Sequence, residues 1–530
     1  MTATARPGVH DGPLRRVRPR AARSALLAVV FVVAACGLVY ELALISLGSF
    51  LLGASIQQTS IVLGVMVCAM GVGSLLAKRL RGNTVVAFAA VELALGVVGG
   101  VSVLVLYAAF AWLALYTAPL VAISAVLGML IGIELPLLMR LLQRIRPQEA
   151  GEAASDLFAA DYLGALVGGL AFPFLLLPRL GQLHGALVVG MINVGCAALI
   201  VFVVFGRSVS RRAAVGLGAT FALALGTLVA VAATAQRFEV SARQALFDDP
   251  ITTHVRSRYQ DIVITETVRF NGRNDLRLFL NGDLQFASLD EYRYHEALVH
   301  PALAGHRRDV LVLGGGDGLA LREVLRYPDV ERVTLVELDP EMVRLARDDE
   351  RLRALNDDAL RDPRLTVVTA DAFNWLREPP GRFDAVVVDL PDADDVATAK
   401  LYSVEFYALV ANALAPDGQL VVQAGSPFFA PEAYWCIEAS MREAGLLTVP
   451  YHVDVPSFGD WGFVAASADG APTIDVDAAM ASQLRFLDRA VLSAATVFPA
   501  DRQASVVDVA PSTLTEPRIL DYAYRGWQGE

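Results

Sequence analysis

Long apolar stretches fill the first half of the chain and constrain its fold more than any other feature. A transmembrane helix needs about 20 consecutive apolar residues, and roughly seven stretches meet that requirement. They are approximately Ala25–Leu52, Ile56–Ala77, Thr84–Tyr107, Trp112–Leu138, Leu157–Leu177, His184–Phe205 and Ala213–Ala235. From Arg237 onward the composition is that of an ordinary globular protein. The sequence therefore predicts an α-helical multi-pass membrane domain over residues 25–236, followed by soluble domains.

Basic residues indicate how these helices are oriented. Residues 1–24 read as a basic, disordered tail, and arginine or lysine clusters follow the second, fourth and sixth apolar stretches. The clusters are Lys78/Arg79/Arg81, Arg140/Arg144/Arg146 and Arg207/Arg211/Arg212. The positive-inside rule then places the amino terminus in the cytoplasm. An odd number of spans would put the soluble half outside, whereas a small-molecule ligand made in the cytoplasm would favour the inside, so the side stays open.

Three acids, Glu41, Glu92 and Glu134, fall within or at the ends of the apolar stretches. A charge inside a membrane is costly and often marks a binding site or pathway. The alternative is a structural role near an interface, protonated or paired with an arginine such as Arg140. Cysteines have no spacing that indicates zinc or a disulfide framework.

The second half begins with strands in which apolar and polar residues alternate. After these, strands alternate with helices along the chain. Residues 237–305 predict a small antiparallel β domain with a hairpin at Asn281-Gly282 and a helix over Ser288–His300, capped by Ser288 or Asp290. Residues 306–468 predict a Rossmann-like, methyltransferase-type α/β domain with a parallel sheet. Residues 469–530 predict a helical extension with periodicity around Leu484–Leu492 and no visible chemistry.

The Rossmann-like domain opens with a strand, a glycine turn and a helix within Asp309–Leu338. The next strand ends at Glu337, where a carboxylate can accept hydrogen bonds from ribose hydroxyls. Asp317 lies among the glycines and would repel a pyrophosphate, which favours an uncharged or cationic nucleoside over a dinucleotide. An adenosyl sulfonium compound fits both acids.

Asp389 ends another strand, and Asp392 follows it in a loop. Together with Asp317 they predict a negative pocket that attracts an ammonium group and can accept its proton. A solvated acidic loop is the alternative interpretation. The net charge of −11 disfavours nucleic acid as a partner and suits a cationic substrate.

The chain from about residue 250 to 465 resembles the spermidine synthase (polyamine aminopropyltransferase) family, and the whole chain resembles its membrane-anchored bacterial branch. The matching segments are Ser257 to Ile262, Leu280 to Gln285, Asp290-Glu291, Tyr294-His295-Glu296, Gly314 to Gly318, Val336 to Asp339, Asp371-Ala372, Asp389 to Asp392, and Leu401-Tyr402 through Glu405-Phe406-Tyr407. The GGGDG turn joined to a Tyr-His-Glu helix is far more specific than a glycine turn alone.

The resemblance implies transfer of an aminopropyl group from decarboxylated S-adenosylmethionine to an amine such as putrescine, with release of methylthioadenosine. By position, Asp389 resembles the general base. The residues that resemble amine and aminopropyl contacts are His295, Asp317 and Asp392, and those that resemble nucleoside contacts are Gln260, Gly315, Glu337, Asp371 and Ala372. No metal or further cofactor is implied. The expected partners are a small polyamine, the lipid bilayer and a second copy of the chain, bound through the soluble domain.

Two departures from the family pattern affect the acceptor side. Ala393-Asp394-Asp395 replaces the usual continuation after Asp392, and Pro456 falls near a position where soluble members carry a tyrosine. Two other functions remain open at this point: an S-adenosylmethionine-dependent methyltransferase, and a membrane transporter or sensor that binds polyamine or nucleoside without turnover. The acids Asp317, Asp389 and Asp392 argue against the first, because they would repel a methionine carboxylate.

Overall fold

The computed structural model describes residues 19–52, 56–80, 82–145, 150–206, 208–269, 272–393 and 395–528. The chain forms two compact units, residues 1–248 and 249–530. The division lies beyond the predicted boundary at residue 236, because the last long helix continues to Gln244. Most of the predicted basic tail lies outside the described residues, and the first helix already begins at Pro19.

The first unit is built from long helices. Asn83 and Ser210 cap two of them, since each side chain accepts a hydrogen bond from a backbone N–H of the first turn. Wider π-helical turns at Phe172–Leu176 and Ile200–Val204 follow the fifth and sixth helices. The helices are α1 Pro19–Leu52, α2 Ile56–Ala77, α3 Thr84–Leu113, α4 Thr117–Ile145, α5 Ala150–Ala171, α6 Leu177–Leu199 and α7 Arg211–Gln244.

Six helical stretches in the described residues are long and apolar enough to cross a membrane. The longest, Gly151–Val204, has 54 residues and joins α5 to α6. Its backbone leaves helical geometry at Gly181, where φ is 70° and ψ is −177°. These six stretches suggest a membrane location for this unit.

The chain reverses direction at Gly181. Before it, α5 runs parallel to α1, because Asp156 pairs with Arg23 and Gly168 packs against the carbonyl of Ala35. Gln182 then donates a hydrogen bond to Ser46 Oγ at 3.0 Å, near the end of α1. Further along α6, Cys196 lies within electrostatic range of Cys36, so α6 returns along α1 in the opposite direction.

The second unit begins with a four-stranded antiparallel sheet in the order β1-β2-β3-β4. The predicted hairpin at Asn281-Gly282 is confirmed, since both residues have positive φ and join two paired strands. The strands are β1 Ile251–Arg256, β2 Asp261–Val268, β3 Asn274–Leu280 and β4 Asp283–Ala287.

A seven-stranded sheet follows, in the order β10-β11-β9-β8-β5-β6-β7. Strands β5 to β9 pair in parallel, whereas β11 and β10 are antiparallel additions at one edge. The sheet is therefore mixed rather than wholly parallel as predicted, and β10 was not predicted. The strands are β5 Asp309–Gly314, β6 Arg332–Glu337, β7 Leu365–Thr369, β8 Phe383–Asp389, β9 Leu414–Gln423, β10 Leu447–Val455 and β11 Gly459–Ser467.

Apolar residues cover both faces of this sheet. Alternate residues of β5, such as Val310 and Val312, belong to one buried cluster, while Leu311 and Leu313 belong to the other. This alternation follows from the two-residue period of a strand. The helices of this unit are α8 Glu291–Val299, α9 Leu319–Leu325, α10 Pro340–Asp348, α11 Glu350–Asn356, α12 Ala372–Trp375, α13 Val396–Ala399, α14 Val404–Ala413, α15 Pro431–Glu443, α16 Ala478–Ala481, α17 Arg489–Ala495 and α18 Arg518–Gln528.

The predicted cap of α8 is wrong. Asp290 is the residue before the helix, but its carboxylate accepts hydrogen bonds from Ser457 N at 2.7 Å and Ser457 Oγ at 3.0 Å. Ser288 Oγ instead accepts from Leu276 N at 2.9 Å. Asp290 and Ser288 therefore bind the turn between β10 and β11 and strand β3, respectively, rather than cap α8.

Candidate active site

Three predicted acids lie at the carboxyl ends of neighbouring strands. Glu337 ends β6 and Asp389 ends β8, on either side of β5, and Asp317 lies in the turn that follows β5. Gly314 of β5 is in register with Asp389. Because ligands of open α/β sheets bind beyond these strand ends, the fold brings the three carboxylates to one edge.

The glycine turn passes directly between two of these acids. A Cβ on Gly315 would lie 3.0 Å from Asp389 Oδ2, and the φ of Gly315 is +65°, a conformation that favours glycine. A Cβ on Gly316 would lie 2.8 Å from Glu337 Oε2. Side chains at these positions would occupy the space between the carboxylates, so glycine keeps it open for a ligand.

Helix α8 supplies the wall opposite the strand ends. Tyr294 Oη donates a hydrogen bond of 2.7 Å to Asp389 Oδ1. The next residue, His295, is 2 % exposed and its Nδ1 lies 3.0 Å from Glu291 Oε2. Arg322 in turn donates two hydrogen bonds to Glu291, at 3.0 and 2.9 Å. Glu291, itself held by Arg322, thus fixes the orientation of the His295 ring.

These groups shift one another's protonation. Burial raises the pKa of Asp389, although the charge of His295 and the hydrogen bond from Tyr294 limit the rise. Burial also raises the pKa of Asp317 to about 6, with Asp389 adding to the effect and His295 opposing it. Burial would lower the pKa of His295, but the hydrogen bond to Glu291 and the charges of Asp317 and Asp389 raise it above its usual value. Carboxyl groups with raised pKa values can accept a proton near neutral pH.

Asp392 lies three residues after Asp389 and belongs to a hydrogen-bonded group. Gln423 Nε2 donates to Asp392 Oδ1 at 3.0 Å and to the carbonyl of Leu390 at 2.7 Å. Tyr402 Oη donates to the carbonyl of Pro391 at 2.8 Å. The backbone of the loop after Asp389 is therefore held in one conformation.

A cavity opens beside Asp392. Its lining includes Ala424 and Ser426, together with Ile519 and Ala523 of α18. The sequence predicts no chemistry for residues 469–530, because the position of α18 depends on tertiary packing. The structure places that helix beside Asp392.

The predicted nucleoside contacts lie at the ends of β6 and β7. Glu337 Oε1 accepts from Asp339 N at 2.9 Å, and burial raises the pKa of Glu337 to about 7. Asp371 accepts from Asn374 N at 3.0 Å and from Lys400 Nζ at 2.6 Å, and Ala372 is buried next to it. Lys400 thus fixes Asp371, a role that the sequence did not reveal.

Gln260 lies before β2, in a turn where Ser257 Oγ accepts from its backbone N–H at 2.9 Å. The contacts described for Gln260 do not join it to the acids at the strand ends. Pro456, predicted near the amine, precedes Ser457, which holds Asp290 at the start of α8.

Sequence reasoning missed several residues that build this site. Tyr294 was part of a matching motif but received no role, although it directly contacts Asp389. Glu291, Tyr402 and Gln423 were likewise unassigned. The signal available for Glu291 was its position four residues, about one helical turn, before His295. Nothing in the sequence around Gln423 indicates a contact with Asp392.

Comparison with known proteins gives consistent matches. Residues 291–478 match the spermine/spermidine synthase domain. The chain is 58% identical over 510 residues to polyamine aminopropyltransferase 1 of Streptomyces coelicolor, covering 96% of each chain. It is 49% identical over 515 residues to polyamine aminopropyltransferase of Mycobacterium tuberculosis, covering 95% of this chain and 97% of the relative. A crystal structure of spermidine synthase with the transition-state analogue AdoDATO is 26% identical and superimposes with a TM-score of 0.44, covering 48% of this chain and 89% of that one.

Proposed function

This chain belongs to the spermidine synthase family and is a polyamine aminopropyltransferase, and we propose that it transfers the aminopropyl group of decarboxylated S-adenosylmethionine to a putrescine-like diamine. The products are a spermidine-like triamine and methylthioadenosine. The observation that carries the proposal is the half-buried Asp389, hydrogen-bonded to Tyr294 and flanked by Asp317, at the end of β8.

The chemistry requires a proton acceptor and precise alignment. The amine nitrogen attacks the methylene carbon next to the sulfonium, the new C–N bond forms, and the C–S bond breaks. The sulfur leaves with the electron pair as the neutral thioether of methylthioadenosine. An ammonium group must lose a proton to become a nucleophile, and Asp389 accepts that proton in this proposal. Holding the nitrogen near attack distance contributes as much as the base.

The remaining acids divide between the two ends of the sulfonium substrate. Glu337 accepts hydrogen bonds from the ribose hydroxyls, and Asp371 with Ala372 bounds the adenine. Gln260 and Gly315 are further proposed nucleoside contacts. Asp317, His295 and Asp392 hold the charged aminopropyl and amine ends. A methionine carboxylate would lie beside Asp317 and Asp389, where like charges repel.

Turnover with an amine panel tests the reaction. Purified full-length protein receives decarboxylated S-adenosylmethionine and, separately, 1,3-diaminopropane, putrescine, cadaverine or spermidine, and methylthioadenosine release is measured. We expect release with a putrescine-like diamine. Nucleoside binding without release from any amine would instead favour a sensor or transporter. Tighter binding of S-adenosylmethionine than of its decarboxylated form would favour a methyltransferase.

The proposed base has its own test. Asp389→Asn should lower kcat by about 10²–10⁴-fold, the usual contribution of a general base, while methylthioadenosine binds within a fewfold of wild type. Asp395→Asn is the matched control, since Asp395 caps α13 in the same loop and asparagine caps equally well. Equal rates in the two variants would remove Asp389 from the mechanism.

A further inference from the structure

Lysine is rare in this chain. Only two of its 44 lysine and arginine residues are lysines, Lys78 and Lys400, and Lys400 is the only lysine in residues 249–530, the second unit. Lysine and arginine bind a carboxylate differently, since a guanidinium presents a planar fork of N–H donors whereas an ammonium group acts as a point charge. The ammonium group of Lys400 is thus chemically distinct from the guanidinium groups of its unit.

Lys400 fixes one oxygen of Asp371. Its Nζ donates to Asp371 Oδ2 at 2.6 Å, while Oδ1 accepts from Asn374 N at 3.0 Å. Among the described residues neither side chain has a further hydrogen-bond or ion-pair partner. A carboxylate has about four lone-pair sites, so about one remains on each oxygen. The side chains of Lys400 and Asp371 are 31 % and 26 % exposed, which leaves these acceptors accessible to a ligand.

The pair lies next to the proposed ribose contact. Thr369 ends β7 in register with Glu337 at the end of β6, and Ala370 N donates to the Glu337 carbonyl at 3.0 Å. Asp371 is the next residue, beyond the carboxyl end of β7, at the edge where ligands of such sheets bind. A nucleoside whose ribose contacts Glu337 therefore meets Asp371 at the neighbouring strand end.

Arginine pairs of the same unit occupy their carboxylates more completely. Arg353 donates to both oxygens of Asp358, at 2.7 and 3.1 Å. The same fork at Asp371, together with Asn374 N, would use three of the roughly four lone-pair sites. Lys400 uses a single site, so it holds Asp371 while both oxygens can still accept another N–H.

This arrangement suits a base that donates a hydrogen bond. The exocyclic amino group of adenine is an N–H donor, whereas a 6-oxopurine presents a carbonyl oxygen at the same place. We propose that Lys400 is a positioning residue that makes the nucleoside site specific for a 6-aminopurine: it holds Asp371 through one oxygen so that the carboxylate accepts the exocyclic N–H of the base. The inference rests on the proposed nucleoside site. The alternative is an ion pair that only joins two turns, and the two roles differ in what arginine does in place of Lys400.

Nucleoside binding without an amine tests this role. Full-length protein in nanodiscs is titrated by calorimetry with methylthioadenosine and with methylthioinosine, its 6-oxo analogue. Wild type should bind methylthioadenosine more tightly by a factor of about ten or more, because the analogue leaves the carboxylate without a donor. Lys400→Arg and Lys400→Met should each weaken methylthioadenosine binding about tenfold and bring the ratio of the two dissociation constants towards one. Lys78→Arg, the same substitution at the other lysine of the chain, is the matched control and should behave like wild type.

A structural ion pair would give the opposite result with arginine. It would persist in Lys400→Arg, so wild-type affinity and discrimination in that variant would overturn the proposal, as would an equal loss of affinity for both nucleosides. Steady-state transfer supplies a second readout. In Lys400→Arg the KM for decarboxylated S-adenosylmethionine should rise about tenfold, with kcat and the KM for the amine near wild type. Loss of transfer by wild type with nucleoside discrimination intact would contradict the proposed reaction alone.

Discussion

At the scale of single residues, Tyr294 sets the protonation of the proposed base. Its hydroxyl donates to Asp389 at 2.7 Å, and a hydrogen bond to the ionised carboxylate favours that form. The neighbouring charge of His295 acts in the same direction, while burial acts against both. Burial thus raises the pKa of Asp389, and the groups that limit the rise lie on α8 rather than on its own strand.

This balance predicts how the transfer rate depends on pH. A carboxyl group with a raised pKa stays protonated to higher pH, so kcat/KM should fall on the acid side of the profile as Asp389 and Asp317 become protonated; the pKa of both is raised, that of Asp317 to about 6. Tyr294→Phe removes a group that lowers the pKa of Asp389, and the acid limb of the profile should move to higher pH. The same amine is used for both enzymes, so its own ionisation cancels in the comparison.

Tyr292→Phe is the matched control for that profile. Tyr292 lies on the same helix, and its ring stacks under the guanidinium of Arg485 rather than at the site. The pH profile of kcat/KM for Tyr292→Phe should coincide with that of wild type. An unshifted acid limb in Tyr294→Phe would show that the hydrogen bond does not tune the base.

At the scale of elements, helix α18 lines the cavity that we propose as the pocket for the amine acceptor. Ile519 and Ala523 line the cavity beside Asp392. Ile519→Trp should fill that cavity and raise the KM for the amine about tenfold or more, with little change in methylthioadenosine affinity. Asp521→Trp adds the same side chain on the exposed side of α18 and should leave both values near wild type. An unchanged amine KM in Ile519→Trp would separate α18 from acceptor binding.

Helices α8 and α9 are joined by a buried charged cluster that should dominate acid stability. Glu323 is 1 % exposed and lies 3.1 Å from His300 Nε2, 2.9 Å from Arg322 Nε and 2.8 Å from Arg326. Burial alone would raise the pKa of Glu323, but these partners lower it to about 2. A lowered pKa stabilises the fold above the unfolded value of about 4.3, and that stability disappears as the pH falls towards 2.

Glu323→Gln should therefore lower the free energy of unfolding by about 3 kcal/mol at pH 7. The corresponding fall in Tm is roughly 6–12 °C, and the difference from wild type should shrink at pH 3. Glu331→Gln is the control, because Glu331 pairs with Arg308 on the surface and surface pairs contribute little. Differential scanning fluorimetry of the full-length protein at both pH values measures the effect. A fall in Tm that is the same at pH 3 and pH 7 would contradict the linkage.

The elements differ in how far the sequence could predict them. Strand ends that carry acids were predictable, because Glu337 and Asp389 follow apolar runs of strand length. The role of Asp290 was not, since Ser457, far away in sequence, competes for the carboxylate that would cap α8. The same holds for α18 and for Lys400, whose contacts arise only from tertiary packing. Local patterns thus predicted the sheet and its carboxylates, while the surrounding side chains depended on long-range contacts.

At the scale of the whole molecule, the reversal at Gly181 decides how often the chain crosses the membrane. A straight helix of 54 residues would be about 80 Å long, far more than a hydrocarbon core of about 30 Å. Because α5 and α6 run in opposite directions along α1, we propose that this stretch crosses twice. The described helices then make an odd number of crossings. The basic clusters follow every second apolar stretch, which is the alternation that the positive-inside rule expects for such crossings.

An odd number of crossings predicts that the amino and carboxyl termini lie on opposite sides of the membrane. Alkaline phosphatase fused after residue 528 should be active and green fluorescent protein at the same position dark, whereas the fluorescent protein fused at the amino terminus should be bright. Such a result would place the reaction outside the cytoplasm and require that its charged nucleoside reach that side. A bright fusion at the carboxyl terminus would instead mean an even number of crossings, with one apolar segment entering and leaving the same face. Reporter fusions to chains truncated at Gly181 and at Ser208 would then identify that segment. Two successive fusions differ in which reporter is active only when the segment between them crosses the membrane.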